Sequence, residues 1–191
     1  MPILILGLAL WWATHLLKIK APARRAALDA RLGAGPAKGV MGILSLAAVA
    51  LMVIGYQRAE FVNLWFPPAY LVHLNNLLML VAVVLFIAKG IPSGVRARIR
   101  HPQLIATKTW ALAHLLVNGD LASVVLFGGI LAWAVVAMVG INKRDGADWA
   151  RPAPGTAKGW AIHAAATIVV FGIIAMLHLW AGVSPLPGGG A

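Results

Sequence analysis

The 191-residue chain contains no cysteine. That absence excludes disulfides, thiolate nucleophiles, iron–sulfur clusters and Cys-ligated zinc. Acidic residues are almost as scarce, five Asp and Glu against sixteen Lys and Arg, for a formal charge of +11. No Gly-rich phosphate loop, Ser-His-Asp arrangement or HExxH motif occurs, which sets ATP hydrolysis and zinc proteolysis aside. Charged residues of either sign make up only 11% of the chain and hydrophobic ones 61%, with a mean hydropathy of +0.87. Soluble domains are roughly half apolar and about a quarter charged, so an ordinary globular protein and a disordered basic tail are both excluded. The natural class is an integral membrane protein, and any metal or redox chemistry falls to its six histidines.

Crossing a ~30 Å hydrocarbon core takes about 20 apolar residues, or about 17 at the short end. Six stretches qualify, approximately Pro2 to Leu17, Gly39 to Tyr56, Ala69 to Ala88, His101 to Asn118, Leu121 to Ile141 and Gly159 to Ala181. The first is marginal in length and the fourth carries Lys108, so these two are open to being short, tilted or partly re-entrant. All six should be helices, because lipid leaves backbone polar groups no partner outside their own segment and no barrel-type alternation occurs. The first span is expected to stay as an anchor: no positive charge precedes it, and a basic run replaces a cleavage site after it. The expected architecture is an all-α, polytopic membrane helical bundle of about six spans, one domain over residues 1–191. No internal repeat occurs, and the one biased tract is the Pro and Gly tail from Pro185.

The cations decide orientation. Lys18, Lys20, Arg24, Arg25, Arg31 and Lys38 follow span one; Lys89, Arg96, Arg98 and Arg100 follow span three; Lys143, Arg144, Arg151 and Lys158 follow span five. These loops hold fourteen of the sixteen basic residues, while the loop after span two has only Arg58, offset by Glu60. By the positive-inside rule both termini face outward and the odd loops face the cytoplasm. Nucleic acid is therefore not the expected partner; anionic membrane lipid is. In the first basic loop Arg24, Leu28, Arg31 and Leu32 have helical spacing, which leaves open an interfacial helix or a solvated linker. Lys108 lies seven residues into span four, within snorkelling reach of the inner surface.

Orientation gives each histidine a depth. His15, His101 and His163 fall near the inner side, and His73, His114 and His178 near the outer side. Asn76 follows His73 by three residues and Asn118 follows His114 by four, so each pair shares a helix face, with Asn75 and Asp120 nearby. Polar groups at such depth face the bundle interior or a cavity, and the cluster points to a buried outer site. Neutral imidazoles there suit a haem or metal, a proton relay, or hydrogen bonds to a polar lipid head. Interhelical glue competes with each of these for any one residue, and capping is the default for Asn118 and Asp120, which flank Gly119 in a tight turn. His101 and His114 are thirteen residues apart, about 20 Å of rise and about 140° of rotation, so they belong to different sites. His101 and Lys108 share a stripe facing an inner polar site. His163, with Thr167 one turn on and no acidic partner, reads as structural.

Several strings carry a resemblance. ThrHis at 14–15, ValHisLeuAsnAsnLeuLeuMetLeu at 72–80, ArgHisPro at 100–102, TrpAlaLeuAlaHisLeuLeuValAsnGlyAspLeuAlaSer at 110–123 and GlyValSerProLeuPro at 182–187 cover nearly the whole chain. Together they resemble the bacterial NnrU family, associated with denitrification and nitric oxide metabolism and related to the haem-b-dependent 15-cis-zeta-carotene isomerase. The resemblance implies haem b, with axial ligands at His15 and His114 by motif, whereas depth pairs His114 with His73. Asn76, Asn118 and Asp120 would form the surrounding polar shell. The isomerase has a cysteine where this chain has Ala111, so a thiol-based ligand switch cannot operate here. ArgHisPro also opens the cofactor motif of isoprenylcysteine-type methyltransferases, but Leu104 and Ala106 stand where Tyr and Gly should follow.

The leading expectation is a haem-binding membrane protein serving nitric oxide or denitrification physiology. The alternatives are a haem-dependent cis–trans isomerase acting on an apolar polyene or lipid, and a non-catalytic assembly partner of denitrification reductase components. Topology is directly testable in a cysteine-free chain. Arg24→Cys, Arg96→Cys and Lys143→Cys should react with a membrane-impermeant thiol reagent only from the cytoplasmic side, and Ala59→Cys only from the outer side. Labelling of all four from one side would sink the orientation.

Overall fold

The computed structural model describes residues 1–147 and 149–185, so the tail expected beyond Pro185 lies outside the described residues. Eight helices occur among them: α1 (Pro2–Lys20), α2 (Pro22–Leu32), α3 (Ala34–Gln57), α4 (Leu71–Ile87), α5 (Val95–Arg98), α6 (Pro102–Val117), α7 (Leu121–Asp145) and α8 (Ala157–Trp180). No strand is present among the described residues, only an isolated antiparallel bridge between Asn63 and Asp120. Each of the six expected spans coincides with a helix. Four of these, α1, α3, α7 and α8, are long and apolar enough to cross a membrane. With 17 and 16 residues, α4 and α6 fall below the usual length of about 20.

The helices overrun the expected spans at their basic ends. α1 continues through Lys18 and Lys20, and α7 through Lys143 and Arg144. Charge does not interrupt the i→i−4 ladder; proline and left-handed glycine do. Thus α1 ends just before the Ala21-Pro22 step, and α7 ends at Gly146, whose φ is 68°. The basic loop after α1 is itself helical: α2 starts with Pro22 in its first turn, pairs Arg25 with Asp29 at 2.8 Å, and buries no residue.

The chain divides into two compact units. The first, residues 1–65 and 120–146, contains α1, α2, α3 and α7, with α1 packed against α3 and α7. Gly7 and Gly55 permit this contact. A Cβ on Gly7 would sit 2.7 Å from the Met52 backbone nitrogen, and one on Gly55 would overlap the backbone of Ile3 and Leu4. Trp12 Nε1 donates to the Gly129 carbonyl at 3.1 Å, tying α1 to α7. The second unit, residues 66–119 and 147–191, contains α4, α5, α6 and α8, with α4 packed against both α6 and α8. One cluster of its core is Leu85, Ala88, Val95 and Ala106, with Ile99 and Ile105 against it.

Burial is reversed relative to a soluble protein. Ala37, Ala48, Ala111, Ala113 and Ala134 are completely buried, while Ile43 (68% exposed), Leu46 (72%) and Ile168 (71%) face outward. Water would drive the large apolar side chains inward. A lipid exterior gives them no such drive, and small residues between helices then give the closest packing. This distribution and the four long apolar helices are those of a membrane protein.

Gly55→Ala should therefore destabilise the first unit by about 1–3 kcal/mol through overpacking against α1. Gly42→Ala, whose Cβ would meet nothing within 4 Å, should be neutral or slightly stabilising. Unfolding in a denaturing-detergent titration checks both; equal midpoints for the two variants would contradict the close-contact reading.

Candidate functional site

Three of the six histidines share one local device. In each, Nδ1 lies against the backbone carbonyl four residues earlier: His15 to Trp11 at 3.0 Å, His114 to Trp110 at 2.9 Å and His178 to Ile174 at 2.8 Å. A carbonyl oxygen can only accept, so Nδ1 carries the hydrogen and, in the neutral ring, Nε2 presents its lone pair. A backbone-tethered Nδ1–H is the arrangement that fixes the tautomer and orientation of metal-ligating histidines. It arises here because a histidine on an apolar helix has few acceptors other than its own preceding turn.

The three differ in surroundings. In the first unit His15 is half-buried, stacked on Trp11 with ring centroids 3.8 Å apart and edge-on to Trp133 at 5.2 Å. The indole N–H groups of Trp11 and Trp133 are buried with no hydrogen-bond partner among the described residues. In the second unit His114 lies beside Trp110 on its own helix and beside His178 of α8, with centroids 5.0 and 6.4 Å away. His178 belongs to the outer histidine layer read from the sequence, but its adjacency to His114 was not legible there. Span order gives depth and not which helices neighbour each other.

The other expected site residues sort differently. His73 is exposed in the first turn of α4, whereas Asn75, two residues on, is buried. Asn76 donates from Nδ2 to the Pro185 carbonyl at 3.0 Å and accepts from Asn75 at 3.1 Å. The Asn75 side-chain Oδ1 is a buried acceptor without a partner among the described residues. Asn118 is the C-cap of α6 and donates to the His114 backbone carbonyl, not to its ring, at 2.8 Å. Asp120 belongs to the first unit, as N-cap of α7. Its carboxylate accepts from the Ser123 backbone at 2.9 Å and from the Ser123 hydroxyl at 2.5 Å, while Tyr56 donates to Ser123 Oγ at 2.8 Å. The capping role expected for Asn118 and Asp120 is thus what the structure contains. His101 is the N-cap residue of α6, and Lys108 is half-buried two turns along it.

A family-wide sequence profile described as NnrU protein matches residues 3–185. The chain belongs to the NnrU family. Comparisons with curated proteins and with solved structures found no match for it. In this NnrU-family chain the histidine donor set fits haem iron: neutral imidazoles with tethered Nδ1–H groups, among aromatic and aliphatic side chains. Among the described residues no group of three or more His, Cys, Asp or Glu side chains gathers to hold a bare metal ion.

His163 is set apart by its hydrogen bonds. It is 2% exposed, with Nε2 at 2.8 Å from the Val84 carbonyl and Nδ1 at 2.5 Å from Ser93 Oγ. Nε2 must donate to the carbonyl, so Nδ1 accepts from the serine hydroxyl and no lone pair is left for a ligand. Thr167 donates to the His163 backbone carbonyl at 2.8 Å, not to the ring. The ring pins α8 to α4 and to the following loop, in the structural role expected for it. Ser93 carried no signal in the sequence, because its partner lies seventy positions away. Ser93→Ala should cost about 1–3 kcal/mol by orphaning Nδ1, and Ser93→Ala with His163→Leu should cost less than the two single changes added together. Thermal melts in detergent measure this; strict additivity would rule out the pairing.

Proposed function

We propose that this chain is a haem-b-binding protein of the bacterial inner membrane, with His114 as an axial ligand, in the service of nitric oxide or denitrification physiology. The observation that carries the reading is the shared Nδ1 tether, which holds the rings of His15 and His114 in the tautomer that metal-ligating histidines use. Family membership supports the physiological setting. The resemblance gives His15 as the second ligand; His73, exposed on α4, is the alternative. Bound haem would supply one-electron chemistry, and its iron could take up a small diatomic ligand where one axial histidine gives way. The chain's own contribution is to hold each imidazole in the ligating tautomer and to shield it from water, His114 with Trp110 and His15 with Trp11 and Trp133.

Protein purified from haem-replete cells should show a Soret band that shifts on reduction. His114→Ala should abolish it, His15→Ala should abolish it or convert it to a five-coordinate spectrum, and His73→Ala and His163→Ala should leave it in place. A preparation without the band, or a band indifferent to His114→Ala, overturns the proposal. Loss of six-coordination in His73→Ala instead of His15→Ala would move the second ligand to α4.

A further inference from the structure

The first unit contains an open cleft of about 310 Å³ bordered by α1, α2 and α3. Three cations line it, one from each helix: Lys18, Arg25 and Lys38. No acidic side chain is among its lining residues. The nearest compensation is Asp29, 2.8 Å from Arg25, which leaves a net charge of two positive units among these four groups. The polar lining residues other than the cations have no hydrogen to offer. Thr14 donates to the Leu10 carbonyl at 2.9 Å, Ser45 to Met41 at 2.7 Å, and His15 Nδ1 is held by Trp11. Donation into the cleft therefore comes from charged nitrogens.

Mutual repulsion would drive three flexible cations apart on an unstructured linker. Here Arg25 is fixed on a folded helix by its i,i+4 partner, and the other two project from the adjoining ends of α1 and α3. A topology signal needs only the number of cations in a loop, not their convergence. Convergence on a cavity is what anion recognition needs, and charge-assisted hydrogen bonds from Lys and Arg are strongest to phosphate oxygens. These cations all belong to the basic segment read as cytoplasmic, at the level where phospholipid headgroups lie.

We infer that the cleft between α1, α2 and α3 binds a phosphate ester through Lys18, Arg25 and Lys38. The source is either the headgroup of an anionic phospholipid or a soluble phosphate monoester. This inference does not rest on haem binding, and its test reads lipid and phosphate, not the Soret band.

The full chain is compared with a cleft variant, Lys18→Gln/Arg25→Gln/Lys38→Gln, and with a control, Lys20→Gln/Arg24→Gln/Arg31→Gln. The control removes the same charge from the same segment but from outside the cleft. Native mass spectrometry after transfer to phosphatidylcholine nanodiscs doped with phosphatidylglycerol should show retained phosphatidylglycerol reduced about tenfold or more in the cleft variant and little changed in the control. Thermal shift in neutral detergent with glycerol 3-phosphate or inorganic phosphate distinguishes the sources. A cleft-dependent rise in Tm assigns a soluble phosphate ester, and retention of phosphatidylglycerol without such a rise assigns the lipid. Lys18→Arg/Lys38→Arg should restore binding, which separates loss of charge from misfolding. Equal loss in the cleft and control variants, or no cleft-dependent binding by either probe, overturns the inference.

Discussion

Backbone touching backbone is the contact on which each unit depends. In lipid there is no water to expel, so helices associate through dispersion and polar contacts, and both require close approach. Gly7 and Gly55 bring α1 against α3 in the first unit. In the second, Gly159 lies so close to the Pro92 carbonyl that a Cβ there would overlap it, and Gly155 does the same to Ser93. That approach puts the start of α8 where His163 reaches both Ser93 and Val84. A polar contact this short is thus downstream of a missing methyl group.

The same medium determines what a histidine can do. In water an imidazole has many partners and its tautomer is fluid. On an apolar helix the first acceptor within reach is the carbonyl one turn back, and that single contact orients the ring and assigns its hydrogen. His15, His114 and His178 all settle this way, whereas His163 finds a second helix and a loop and uses both nitrogens. His163 is a structural pin because both its nitrogens are committed to partners across the helix interface. Residue type alone does not decide it.

This explains how much was legible in advance. The helices could be read because apolar length and the backbone's need for internal hydrogen bonds leave few alternatives in lipid. Their ends were less legible: apolar composition stops at Leu17 and Ile141, but α1 and α7 run on until proline or glycine intervenes. Capping by Asp120 followed from its place before Leu121, a local rule. The pairing of His114 with His178 did not, since hydrophobic spans carry no record of which of them are neighbours. Nor could His73 be separated from Asn75, because two residues along a helix turn a side chain by about 200°, and only the packing of α4 says which direction is inward.

The charge of +11 follows the same division between number and position. Number is enough to orient a chain, and any arrangement of fourteen cations in three loops would serve. Position acquires meaning only where the scaffold is rigid. The first basic segment is such a place, because Pro22 starts a helix there, the Arg25–Asp29 pair supports it, and Gly33, at a φ of 83°, turns the chain into α3. Lys20, Arg24 and Arg31 are not among the residues that line the cleft. Lys18, Arg25 and Lys38 converge on a cavity that also has His15 in its wall. Holding three like charges around a cavity costs repulsion, and an anion seated there would offset it more fully than Asp29 can.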